Sequence, residues 1–70
     1  MITRKKINNI FYNYYLGGKF YIGTVQRPAI ETDQWTAQLL WDEGGNYCKE
    51  FTTMEDAEKQ IYTWLDEPLP

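Results

Sequence analysis

The sequence has no histidine, a single cysteine, three prolines and no apolar run long enough to cross a membrane. Each absence excludes chemistry. Without histidine the usual general base and triad partner is missing. One cysteine, Cys48, cannot form a disulfide within the chain. With no second thiol and no histidine it is also a poor zinc ligand. A nucleophilic thiol needs an activating neighbour, and Tyr47 and Lys49 do not supply one, so Cys48 reads as a structural thiol in or under a sheet. The acidic pairs Asp42-Glu43 and Glu55-Asp56 are adjacent in sequence, whereas glycosidase chemistry needs carboxylates facing each other across a substrate. The glycine pairs Gly17-Gly18 and Gly44-Gly45 lack the Lys-Ser/Thr of a phosphate loop. The turn Asp42-Glu-Gly-Gly-Asn46 offers too few ligands for a calcium loop. The sequence therefore predicts no catalytic residue, no metal, no cofactor and no enzyme.

What is present is a short aromatic chain. Its 70 residues include three Trp, six Tyr and three Phe. A domain of this size buries only about 60% of its unfolded surface and is marginally stable by itself. The routes left open are a dense aromatic core, each ring burying roughly 150–250 Å², or self-association. The stretch after Arg4-Lys5-Lys6 is broken by Asn8, Asn9 and Asn13, so neither a signal peptide nor a lipid anchor is expected. A lone thiol then fits a reducing cytoplasm, bacterial or that of a phage host.

Charge is segregated. The net charge is −3, but residues 1–27 carry Arg4, Lys5, Lys6, Lys19 and Arg27 with no acid, giving +5. Residues 28–70 carry ten acids against Lys49 and Lys59, giving −8. Such a bipolar molecule can steer an oppositely charged partner to one end.

Two β-rich runs, Ile10–Leu16 and Lys19–Gln26, flank Gly17-Gly18 and predict a hairpin over residues 10–26. A two-residue loop pairs Tyr15 with Phe20, Asn13 with Ile22 and Phe11 with Thr24 on one face. The other face then holds Tyr14 with Tyr21, Tyr12 with Gly23 and Ile10 with Val25. Trp35, Ala37, Leu39 and Trp41 alternate with Gln34, Thr36, Gln38 and Leu40 and predict a half-buried strand. A short strand over Tyr47–Phe51 completes a second pair within residues 34–51. From Thr53 the period becomes helical, with Met54, Ala57, Ile61, Trp64 and Leu65 on one stripe. Thr53 reads as the N-cap, Asp56 as a weak capping box, and Pro68 as the stop. The expected fold is one α+β domain: a basic segment over residues 1–9, a four-stranded antiparallel meander in the order β-β-β-β-α, a helix over 53–66 packed on one face, and a tail at 67–70.

One helix shields only one face of such a sheet, yet both faces of the first hairpin carry rings. Either a homodimer covers the second face or it stays exposed as a contact surface. Tyr12, Tyr14 and Tyr21 form the expected aromatic contact face.

The order of strand, glycine turn, strand and capped helix from Gln34 to Leu65 carries a family likeness. Trp35-Thr-Ala37, Glu43-Gly-Gly-Asn46, Lys49-Glu-Phe-Thr-Thr53, Glu55-Asp-Ala-Glu58 and Trp64-Leu65 have the spacing of the N-terminal arm-type DNA-binding domains of phage integrases, which this segment resembles. The resemblance implies a three-stranded sheet backed by a helix, with the sheet set in the major groove. It covers under half of the chain, and it departs from the family in charge: Lys49, beside Glu50, is the only cation on the corresponding strands. A DNA role would rest on Arg4, Lys5, Lys6, Lys19 and Arg27, with tyrosines as stacking platforms. In type, the chain is also similar to small acidic phage and mobile-element proteins, including inhibitors such as anti-CRISPR proteins, whose carboxylates stand in for phosphates. That likeness implies an acidic contact patch of Asp42, Glu43, Glu55, Asp56 and Glu58. The expected function is a non-enzymatic, protein-binding inhibitor or accessory module. The alternatives are a nucleic-acid binder using the basic hairpin and a self-assembling structural subunit; no membrane partner is expected.

Overall fold

The alternating stretches pair in sequence order, each strand antiparallel to the one before it. The computed structural model describes residues 1–28, 33–41 and 44–69. Among them lie strands β1 (Ile2–Lys6), β2 (Phe11–Leu16), β3 (Phe20–Gln26), β4 (Trp35–Leu39) and β5 (Cys48–Phe51), then helix α1 (Met54–Trp64). Every neighbouring pair is antiparallel, and the sheet order is β1-β2-β3-β4-β5.

The antiparallel sheet and single C-terminal helix match the expected α+β class, but the sheet has five strands rather than four. The additional strand is β1, which lies inside the expected basic segment. Its residues Ile2–Lys6 pair with Leu16–Tyr12, and Asn8 turns the chain between them. The Asn8 Oδ1 accepts the backbone N–H groups of Ile10 and Phe11 at 2.7 and 3.2 Å, an Asx-turn that side-chain amides readily close.

The first hairpin also differs from the expected register. Its loop holds three residues, because Leu16 pairs with Phe20, and Tyr15 then pairs with Tyr21. A bulge follows, so that Tyr14 pairs with Gly23, Asn13 with Thr24 and Tyr12 with Val25. A bulge adds one residue to one strand and locally suspends its alternation. Two single-residue offsets leave most residues on their expected faces. They exchange Phe20, Tyr21 and Ile22: Ile22 turns in beneath the helix, and Tyr21 turns to the opposite face.

Apolar side chains from every second position meet under α1. Tyr14, Val25, Ala37, Leu39, Ala57 and Ile61 are sealed or nearly so, and Ile2, Ile22 and Tyr62 complete the buried cluster. Trp35, Phe51, Met54, Trp64 and Leu65 pack around it. The helix begins at Thr53, whose side-chain oxygen accepts the Asp56 N–H at 3.1 Å. It ends before Pro68, earlier than expected. The Asp66 and Glu67 N–H groups donate to the carbonyls of Thr63 and Tyr62 at 3.1 and 3.0 Å, with Asp66 at φ 56°. These two bonds close a Schellman turn and satisfy the last carbonyls.

Candidate binding surface

Tyr14 stands at the centre of the helix-covered face. It is fully buried, and its hydroxyl has no hydrogen-bond partner. Burial pushes its phenol well above the ordinary value, the Glu58 carboxylate pushes it further, and Arg4 opposes them. Tyr12 is half-buried on the same face, where the Arg4 guanidinium sits 5.3 Å from its ring centroid. Tyr21 lies on the other face. The expected contact face of Tyr12, Tyr14 and Tyr21 is therefore corrected: the three-residue loop pairs Tyr21 with Tyr15, on the face away from Tyr12 and Tyr14, and the helix seals Tyr14.

The cations do not form one surface. Alternation along β1 places Arg4 and Lys6 on the helix side and Lys5 on the open side. Arg4 bridges to Glu58 at 2.8 Å. Partial burial lowers its pKa, but Glu58 and Tyr14 together outweigh that and hold the guanidinium charged. Arg27 donates to the Asn9 carbonyl at 3.4 Å, and Lys19 lies in the β2–β3 turn at the opposite end of the sheet. The acids are divided too. Glu55 and Asp56 are exposed in the first turn of α1, where they complement the helix dipole. Glu58 is engaged by Arg4, while Asp42 and Glu43 lie outside the described residues. Among the described residues no cluster of acids and thiols could hold a metal ion.

The face of the sheet away from α1 is the second feature. Register places Lys5, Asn13, Thr24, Gln38 and Cys48 in one row across it, with Phe11, Gln26, Thr36 and Glu50 in another. Tyr15 and Tyr21 pack at 5.9 Å between centroids. The Tyr21 hydroxyl bonds to Thr24 at 2.5 Å, Thr24 donates to Asn13 Oδ1 at 3.2 Å, and the Asn13 amide reaches the Tyr15 hydroxyl at 3.5 Å. This row of hydroxyls and amides is held in place by its own members. Beside it, Tyr21, Thr24, Gln38, Leu39 and Leu40 line an open recess of about 200 Å³.

The third feature is the end of the molecule where β1 and β3 begin and β2 and β4 finish. Backbone bonds fix it: the Gly17 N–H donates to the Met1 carbonyl and the Leu40 N–H to the Ile22 carbonyl, both at 2.9 Å. The tail after α1 returns to the same end, where Met1, Ile2, Tyr62, Glu67, Pro68 and Leu69 line a groove of about 360 Å³. Large apolar side chains collect there with much of their surface in water: Met1 91%, Phe20 69%, Leu40 61%, Leu69 52%, Trp41 46% and Tyr21 38% exposed. Among the described residues, the other large exposed apolar side chains are Ile7 and Ile10, in the β1–β2 turn at the far end.

Sequence reasoning selected Tyr21 from this group and missed the rest. The two-residue loop pairs Phe20 with Tyr15 on a face whose burial the sequence leaves open, and Trp41 is placed on the half-buried face by carrying the β4 alternation two residues past Leu39. The signal for Leu40 was present, since it breaks the polar phase of Gln34, Thr36 and Gln38. The meeting of Met1 with Leu69 is a product of the fold alone. Comparison with known proteins adds no assignment: no family model, no curated protein and no solved structure matches the chain.

Proposed function

We propose that the protein is a non-enzymatic protein-binding module that docks a partner on its apolar end. The carrying observation is that Phe20, Tyr21, Leu40 and Trp41, with Met1 and Leu69, gather at one end, while Ile7 and Ile10 are the other large apolar side chains that stand exposed among the described residues. Clusters of exposed aromatic and aliphatic side chains mark protein contacts, and Trp and Tyr carry a disproportionate share of binding energy there. The adjoining open face suits the same role. It offers Tyr, Asn, Thr and Gln, with Lys5 and Glu50 as its strand charges. Interfaces between proteins are depleted in charge at their centre and enriched in Tyr. Duplex or single-stranded nucleic acid calls for a gathered set of cations, and here Arg4 is engaged by Glu58 while Lys19 and Arg27 lie at opposite ends. An inhibitor or accessory factor that occludes a protein surface is the form of action this arrangement supports.

The test compares the full chain with the double variant Phe20→Ser/Trp41→Ser as immobilised baits at moderate salt, with captured protein, the chain itself included, identified by mass spectrometry. Selective capture by the parent chain is expected. Capture of nothing, or of the same proteins by both baits, rejects the reading. A low-salt mobility shift with DNA or RNA that survives the double variant points instead to nucleic acid.

A further inference from the structure

We infer that the partner seated on the apolar end is a second copy of this chain, related by a two-fold axis. The inference rests on the reading that this end binds protein, and it names the protein. Three observations support it.

The first is charge. Lys19 sits in the β2–β3 turn beside Phe20, while Asp66 and Glu67 sit in the tail beside Leu69. Through Met1, which accepts from Gly17 of that turn and shares a groove with Glu67 and Leu69, the patch has both a cation and carboxylates on its flanks. A two-fold contact brings the same surface to both partners, so residue i meets j and j meets i. Under that symmetry Lys19 of each copy approaches the acids of the other. A partner of uniform sign would be repelled from one flank.

The second is area. On the scale of an aromatic side chain, roughly 150–250 Å², the exposed fractions of Met1, Phe20, Tyr21, Leu40, Trp41 and Leu69 amount to at most about 550–900 Å². A standard interface takes about 800 Å² from each partner. The patch is thus of the size a dimer needs.

The third is stability. Among the described residues the buried core consists of nine side chains, two of them alanines. A domain this small commonly gains stability from a disulfide, a metal or association. Cys48 is the only cysteine, and the described residues hold no metal-binding cluster. Covering the apolar end of one copy with that of another supplies the missing burial.

Sedimentation of the full chain from micromolar to millimolar concentration tests this. The expected mass approaches twice the 8.4 kDa of the chain. Phe20→Ser/Trp41→Ser is expected to give a monomer, with circular dichroism confirming that it is folded. Lys19→Glu and Glu67→Lys alone are each expected to weaken the dimer about tenfold, because every rim pair occurs twice across the axis. Combined, they are expected to restore it to within about threefold. A monomer at every concentration overturns the inference, as does a dimer that ignores all these substitutions or a double charge swap that fails to rescue. A monomer that still captures a different protein through Phe20 and Trp41 overturns self-pairing alone and leaves the protein-binding reading standing. A monomer that captures nothing overturns both.

Discussion

Gly23 lies tight against β4, where it leaves no room for a side chain. A Cβ built there would lie 2.6 Å from the Gln38 carbonyl oxygen and 3.2 Å from the Leu39 side chain. The carbonyl belongs to a paired strand and cannot move without breaking the ladder. Gly23→Ala is therefore expected to cost about 2–3 kcal/mol, at the upper end of overpacking penalties, read as a fall in the urea midpoint at unchanged slope. A loss below about 0.5 kcal/mol would show that the strands separate easily. Tyr14 shows the opposite situation. Its ring fills the centre of the core while its buried hydroxyl lacks a partner. An unsatisfied buried donor costs about 1–3 kcal/mol. Tyr14→Phe keeps the ring and removes that cost, so it is expected to raise stability by about 1 kcal/mol; a comparable loss in urea unfolding would show that the hydroxyl is bonded after all. Neither residue was legible as special in the sequence. Glycine in a β-run and tyrosine in a hairpin are unremarkable until a second strand and a helix are brought against them.

At the scale of elements, the helix was the most legible part. Its stripe, N-cap and first-turn acids are local features, and local features can be read from a local window. Thr53 caps as expected, and Thr53→Ala is expected to cost about 1 kcal/mol. The C-terminus was legible only in part. Asp66 occupies the left-handed region at φ 56°, where glycine is at ease and a residue with a Cβ is strained. Asp66→Gly is expected to stabilise the fold by about 0.5–1 kcal/mol, measured as a rise in thermal midpoint; a fall would show that the carboxylate makes a contact worth more than the strain. Strand β1 was not legible. Its residues Ile2–Lys6 hold one buried side chain, Ile2, followed by four exposed residues. An edge strand is held mainly by backbone groups, which carry no composition signal. The hairpin register failed for a related reason. A glycine pair announces a turn, but its loop length and the bulge beyond it depend on which rings the helix can cover.

Over the whole molecule, the Cα radius of gyration is 11.4 Å, close to the roughly 11 Å expected of one compact domain of this length. Unfolding should then be a single cooperative event whose pH dependence sums over the buried phenols. Burial raises the pKa of Tyr14 and Tyr62, Glu58 reinforces both shifts and Arg4 opposes both. In the unfolded chain these phenols ionise near pH 10, while the folded chain retains their protons to higher pH. The unfolded state binds fewer protons in that window, so the stabilisation present below about pH 10 is lost as pH rises. The slope is expected to approach about 1.4 kcal/mol per pH unit for Tyr14, with Tyr62 adding in the same direction. Chemical denaturation between pH 8 and 11.5 checks this, and a flat profile would place both hydroxyls in contact with water. Tyr14→Phe should remove part of the slope.

The sequence by itself determined the class of fold, the placement of the helix and the four strands with an apolar period, because hydrophobic periodicity and end-capping act over a few residues. Tertiary structure decided which rings are spent in the core and which remain available. A three-residue loop and the bulge after it together exchanged the faces of Phe20, Tyr21 and Ile22, and the helix sealed Tyr14. The antiparallel meander then brought Met1, Phe20, Leu40, Trp41 and Leu69 to one end from positions spread along the whole chain. Surface exposure is a property of what packs against a residue, and that partner lies elsewhere in the sequence.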